Sequence, residues 1–302
     1  MNDQTPRRAH SLEEMGRIQA LAFSEEMIGA SIAAYRPQAT DVVITPFGKC
    51  GTTWLQQTFH CLRTRGDMDF DDISRVTPWI EMATTCGLDV EAPQRAAPRG
   101  FKSHLPYDVI PKGARYVVAL RDPKDAMISM FRFMEGWFIE PGTVSFEDFA
   151  RSRMARKGPD YWHHLVTWWE QRDNPDVLLL SYEDMTAEPE ANIRRLAAFA
   201  GIALDDDLLA LTLDHSSRAF MLEHKDRFDD AMMRRISEER CNLPPGSDSA
   251  KVRAKPAGPP RQEMTAAIEA ELDAMWAQTV TAKLGFENYA ALEAALRARR
   301  AG

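Results

Sequence analysis

The stretch DVVITPFGKCGTTW, residues 41–54, decides the architecture. Asp41 to Thr45 holds an unbroken β-branched run, the pattern of a short strand buried on both faces. Gly48 and Gly51 bracket a tight turn, and Thr52 to Arg65 reads as a helix closed by Gly66. This strand–turn–helix unit recurs. Tyr116–Leu120 leads into a helix over Pro123–Met134 with proline in its first turn. Val177–Ser181 leads into Glu188–Gly201, and Phe101–Ser103 reads as a fourth, short strand. Strands alternating with helices predict an α/β fold, a central parallel β-sheet flanked by helices on both faces. Ser11 and Glu14 form a capping box for a helix running to Tyr35. Further helices are expected over Ser145–Arg156, Tyr161–Gln171, about Gln262–Leu284 and Glu287–Arg299. No internal repeat or strong linker interrupts the chain, which predicts one domain over residues 1–302 with a loose N-terminus over 1–10. Residues 242–261 differ, holding five prolines, two glycines and the cations Lys251, Arg253, Lys255 and Arg261. They predict a flexible loop that orders over an anionic ligand.

The 302 residues are 44% hydrophobic and 27% charged, with a net charge of −8, the mix of an ordinary globular chain. So acidic a protein is a poor nucleic-acid binder, because such binding draws its affinity from a basic face. Any anionic ligand must meet a local cluster of cations. Cys50, Cys61, Cys86 and Cys241 form no CxxC pair and no metal-ligand spacing, and predict reduced thiols in a cytoplasmic protein. The start lacks the apolar core of a signal peptide, and no apolar run is long enough to span a membrane.

The glycine turn has a chemical reading. A helix N-terminus presents unpaired N–H groups and partial positive charge, so a glycine-rich turn there can wrap its amides around a phosphate. Lys49 adds a point charge, and Thr52 and Thr53 add hydroxyls. The turn is not a kinase-type P-loop: lysine precedes Gly51, no glycine stands at the upstream position, and the Ser/Thr that would hold magnesium is missing. It predicts an anionic group handled without metal.

GKCGTTW, residues 48–54, is similar to the PKSGTTW phosphosulfate loop of cytosolic sulfotransferases, with Gly48 for the proline and Cys50 for the serine. Three more stretches follow in that family's order. Phe101-Lys-Ser-His-Leu-Pro106 resembles KTHLP, whose histidine is the base; His104 also lies just past a strand, where α/β sheets place ligands. Arg121-Asp-Pro-Lys-Asp-Ala-Met-Ile-Ser129 resembles RDPKDxxxS, which implies that Arg121 and Ser129 hold a 3′-phosphate. Leu180-Ser-Tyr-Glu-Asp-Met185 resembles YEDM, which implies that Tyr182 contacts adenine. Two matches are partial. His215 to Met221 resembles HTSFxxM, with Ser216 for the threonine and Arg218 for the phenylalanine, leaving stacking to Trp54 and Phe220. Lys251 to Gly258 resembles RKGxxG, keeping Arg253 and Gly258, with Lys255 standing in for a lost charge.

The resemblance implies a sulfotransferase that moves a sulfuryl group from 3′-phosphoadenosine 5′-phosphosulfate to a hydroxyl or amine of a small-molecule acceptor. His104 would be the base, with Lys49 and Lys102 stabilising charge. Lys49, Cys50, Gly51, Thr52, Thr53, Trp54, Arg121, Ser129, Tyr182, Ser216, Phe220, Arg253 and Lys255 would line the nucleotide, with no metal. Phe47, Trp79, Met82, Trp137 and Phe138 line an acceptor pocket or belong to the core. A homodimer stays open: of the family's KxxxTVxxxE pairing motif, Arg261, Thr265 and Ala266 match loosely, while Ala270 replaces the glutamate.

Overall fold

A computed structural model describes residues 5–156, 160–253 and 263–301. Four parallel strands form one sheet in the order β2-β1-β3-β4, with β1 at Val42–Ile44, β2 at Gly100–Lys102, β3 at Arg115–Leu120 and β4 at Val177–Ser181. Ile44 lies opposite Lys102 on one side and Val117 on the other.

Alternation along the strands divides the core. Val42, Ile44, Val117, Ala119 and Leu180 point to a face covered by α3 (Thr52–Thr64), α9 (Pro189–Ala200) and α10 (Asp206–His215). Val43, Phe101, Tyr116, Val118 and Leu120 point to the opposite face, where α5 (Pro123–Trp137), α6 (Phe146–Met154) and α7 (Tyr161–Trp169) bring the aromatic-rich part of the core. Period-two side chains and helices on both faces are what a buried parallel sheet requires. The helix after β1 packs on one face and the helix after β3 on the other. The carboxyl ends of these neighbouring strands therefore flank a topological switch point, the crevice where such sheets bind ligands.

The expected helix over Ser11–Tyr35 is two helices, α1 (Leu12–Ala20) and α2 (Glu25–Ala34). Ser24 takes an extended backbone (φ −69°, ψ 150°) and its hydroxyl accepts the Met27 N–H, so a second N-cap restarts the helix. After β4 the chain enters a short helix, α8 (Tyr182–Ala187), before α9, because Ser181 leaves the strand as a cap for the Asp184 N–H. The remaining helices are α4 (Ile73–Val76), α11 (Arg218–Glu223), α12 (Ala231–Cys241), α13 (Ala266–Trp276), α14 (Ala282–Leu284) and α15 (Tyr289–Ala301). A π-helical stretch over Ala277–Thr281 joins α13 to α14. Residues 242–253 are loop, and the rest of the predicted covering loop, with Lys255, Gly258 and Arg261, lies outside the described residues, as do residues 1–4 of the N-terminus. Among the described residues no helix is long and apolar enough to cross a membrane.

Candidate active site

Most helices here begin with a side-chain cap, as at Ser11, Asp122, Asp160 and Asp205. Helix α3 does not: its N-cap is Gly51, which has no side chain and a left-handed backbone (φ 96°). The first-turn N–H groups stay available and face the mouth of the crevice. A Cβ on Gly51 would stand 3.0 Å from Tyr182 Cδ2, in a backbone conformation that side chains disfavour, so glycine is required twice over. Thr52 Oγ1 and Arg121 Nε are buried without hydrogen-bond partners among the described residues. A buried polar atom left unpaired is costly, and both atoms fit an anionic ligand that would satisfy them.

Cations gather around this turn. Lys49 itself has a left-handed backbone (φ 71°), and its Nζ lies 4.0 Å from the Phe133 ring centroid on α5. Its carbonyl accepts a 2.7 Å hydrogen bond from Arg121 Nη1. The Arg121 guanidinium lies over Tyr182, 4.1 Å from the ring centroid, and the Arg121 carbonyl accepts from the Tyr161 hydroxyl. Arg253 leans on α5 at Gly136, where a Cβ would come within 2.9 Å of its Nη2, and pairs with Asp248 at 2.8 Å. Ser129 stands four residues before Phe133 and seven before Gly136, so all three share a face of α5. Lys49 and Arg253 thus meet the helix along the stripe that carries Ser129. Enclosure, then the neighbouring charges of Lys251 and Arg253, push Lys49 down to about 7.

His104 lies beyond the end of β2. Its Nδ1 is 2.7 Å from the Pro46 carbonyl; a carbonyl only accepts, so Nδ1 carries the proton and Nε2 keeps its lone pair. Burial, then the charge of Lys102, lowers this imidazole to about 3, and it is neutral near neutral pH. Residues 78–80 run parallel to β2, with Lys102 N–H donating to Pro78 and Ile80 N–H to Lys102. That pairing sets Trp79 edge-on to His104 at 5.4 Å between ring centroids and places its ring 3.9 Å from Lys102 Nζ. Two residues on, buried Glu81 accepts the His104 backbone N–H at 2.7 Å. Burial pushes the Glu81 carboxyl up.

The remaining candidates divide. Trp54 packs beside Met221, Phe228 and Val252, so the start of α3 meets α11 and the loop before Arg253. Phe220 stacks on His215 at 4.2 Å, and Ser216 is buried with its hydroxyl donating to the Thr212 carbonyl. Cys50 is buried, and its thiol is pushed up to about 12 by desolvation. Phe47 meets Tyr161 and His164 edge-on. Met82, Trp137 and Phe138 are enclosed in the main core, with the Trp137 indole N–H donating to Ser237 at 2.8 Å. The sequence reading missed Glu81 and Asp230. An isolated acid carries no local signal.

Three buried histidines should make the fold acid-sensitive. His60, His104 and His164 are each lowered from 6.5 to about 3, with burial the largest cause. Between those values the unfolded chain binds protons that the folded chain does not, so stability rises with pH across that window and is lost as pH falls through it. The melting temperature is expected to drop steeply below about pH 6.5. A flat profile down to about pH 4 would contradict these burial assignments.

Together these features define an α/β protein that gathers an uncapped helix N-terminus, several cations and a neutral histidine at the carboxyl ends of its strands. Residues 39–284 match the family model described as the sulfotransferase domain. The chain belongs to the sulfotransferase family, whose donor is 3′-phosphoadenosine 5′-phosphosulfate. It is 29% identical over 199 residues to sulfotransferase 1E1 of Bos taurus, covering 62% of this chain and 68% of that protein. It is 27% identical over 209 residues to sulfotransferase 1 family member D1 of Mus musculus, covering 65% and 70%. Among solved structures, retinol dehydratase in complex with androsterone and inactive cofactor PAP superposes with a TM-score of 0.67 at 18% identity, over 91% of this chain and 95% of that one. Mouse sulfotransferase SULT7A1 complexed with PAP gives 0.62 at 20% identity, over 86% and 91%. These two structural likenesses establish the shared fold.

Proposed function

We propose that the protein transfers a sulfuryl group in line from 3′-phosphoadenosine 5′-phosphosulfate to the hydroxyl or amine of a small acceptor, with His104 as general base. The observation that carries this reading is the meeting of an uncapped helix N-terminus, Lys49, Lys102 and a neutral His104 at one edge of the sheet. The donor, when bound, supplies a sulfuryl group already joined to a leaving nucleotide phosphate. The protein has to align the acceptor and stabilise charge. The Gly51 amide, Thr52 and Thr53 hold the 5′-phosphate, and Arg121, Ser129 and Arg253 hold the 3′-phosphate. Lys49 meets charge growing on the leaving oxygen, and Lys102 steadies the sulfuryl oxygens. His104 Nε2 removes the acceptor's proton, its orientation held by the Pro46 carbonyl. Tyr182 and Trp54 border the adenine, and Phe47 and Trp79 border the acceptor.

The test is thermal. Adenosine 3′,5′-bisphosphate at a hundred times its Kd should stabilise the protein by about 2.7 kcal/mol, a rise of several degrees in Tm, while 5′-AMP and ATP give little. Equal shifts with ATP and magnesium would reject the 3′-phosphate site and the reading with it.

A further inference from the structure

The carboxylate of Asp230 sits between two lysines from distant parts of the chain. Its Oδ1 lies 3.8 Å from Lys102 Nζ and forms an ion pair with Lys251 Nζ. All three side chains are enclosed, at 5%, 2% and 10% exposure for Asp230, Lys102 and Lys251. Asp230 precedes α12 with a left-handed backbone (φ 55°) and makes no side-chain cap for that helix. Aspartates in the same position before other helices do cap them, with extended backbones at Asp160 and Asp205. Here the backbone turns the carboxylate away from the helix and into the cation cluster. Buried lysines held side by side without a counter-ion favour losing their protons. A carboxylate that touches both answers that tendency.

We propose that Asp230 is a positioning residue: an internal counter-ion that seats Lys251 of the loop beside Lys102 and makes Lys251 a third lysine facing the sulfuryl group. This rests on the sulfotransferase reading above. The loop that covers the nucleotide is thereby tied to the transfer centre through one carboxylate.

The surrounding charges set the sign of the test. Lys102 is faced by Asp230 and Asp72, which raise it, and by Lys251, which lowers it; enclosure is the largest influence and brings it to about 8. Asp230 also acts on Lys49 in the glycine turn and on Cys86, and His104 acts on Asp230. Removing Asp230 should therefore bring proton loss from Lys102 to lower pH. Removing Lys251 should move it to higher pH.

Donor affinity is to be measured by calorimetry from about pH 6 to about pH 10 for the wild type, Asp230→Asn and Lys251→Met. Asparagine keeps the volume and tolerates the left-handed backbone, and Lys251 lies in a loop, so its replacement does not depend on that backbone. The pH at which affinity is half lost is expected to fall by about one unit in Asp230→Asn and to rise in Lys251→Met. Below its midpoint, Lys251→Met should bind roughly tenfold more weakly, as loss of a charged contact implies. Coincident midpoints, or shifts in the same direction, overturn the inference while leaving donor binding established. A wild type that binds no donor at any pH overturns the sulfotransferase reading and this inference with it.

Discussion

His104→Ala is expected to lower kcat by roughly 10²–10⁴-fold while leaving the Kd for adenosine 3′,5′-bisphosphate within about threefold of wild type. The imidazole is fixed through Nδ1 by the Pro46 carbonyl, and the His104 backbone N–H donates to the Glu81 carboxylate. Both anchors orient Nε2, and neither is a residue assigned to the nucleotide. Removing the ring should therefore take away proton removal without dismantling the anion site. The measurement is turnover with a phenol or alcohol acceptor selected on the wild type, set against calorimetric binding of the bisphosphate. Unchanged turnover would remove His104 from the mechanism. A matching loss of bisphosphate affinity would make it a structural residue of the nucleotide site.

Lys49→Gln should cost about 10²–10³-fold in kcat, the usual effect of deleting one group that meets transition-state charge. This lysine is lowered from 10.5 to about 7 when no anion is bound, so at about pH 8 it is largely neutral. An arriving phosphate favours its charged form, and binding should draw close to one proton from solution. The uptake is read by calorimetry in buffers of different ionisation enthalpy. Wild type should show it at about pH 8, and Lys49→Gln should lose most of it. A variant with wild-type kcat and unchanged proton uptake would place the lysine outside the transfer centre.

Much of the site could be read directly because its chemistry comes as contiguous strings. Thr45 to Trp54 contains a strand end, a turn and a helix start, and local backbone chemistry is enough to place amides, Lys49 and two hydroxyls at one point. The same holds for Arg121, which directly follows β3, and for Ser129 on the following helix. Helix restarts were harder. Nothing in the apolar spacing of residues 11–35 announces that Ser24 begins a second helix; its cap bond to Met27 exists only once the chain has turned.

The sequence by itself determined the parallel α/β architecture, the glycine turn that starts α3 and the order of the motifs, since each follows from residues close together along the chain. Only the tertiary structure decided which aromatics stand beside His104. Trp79 is brought onto His104 and Lys102 by pairing of residues 78–80 with β2, while Trp137 and Phe138, just as promising by composition, are enclosed in the core. It also decided that Asp230 and Lys251, some twenty residues apart, share one buried ion pair beside Lys102. Charge meeting charge across separate elements leaves no periodic trace in a sequence, because the distance that matters is set by packing rather than by spacing along the chain.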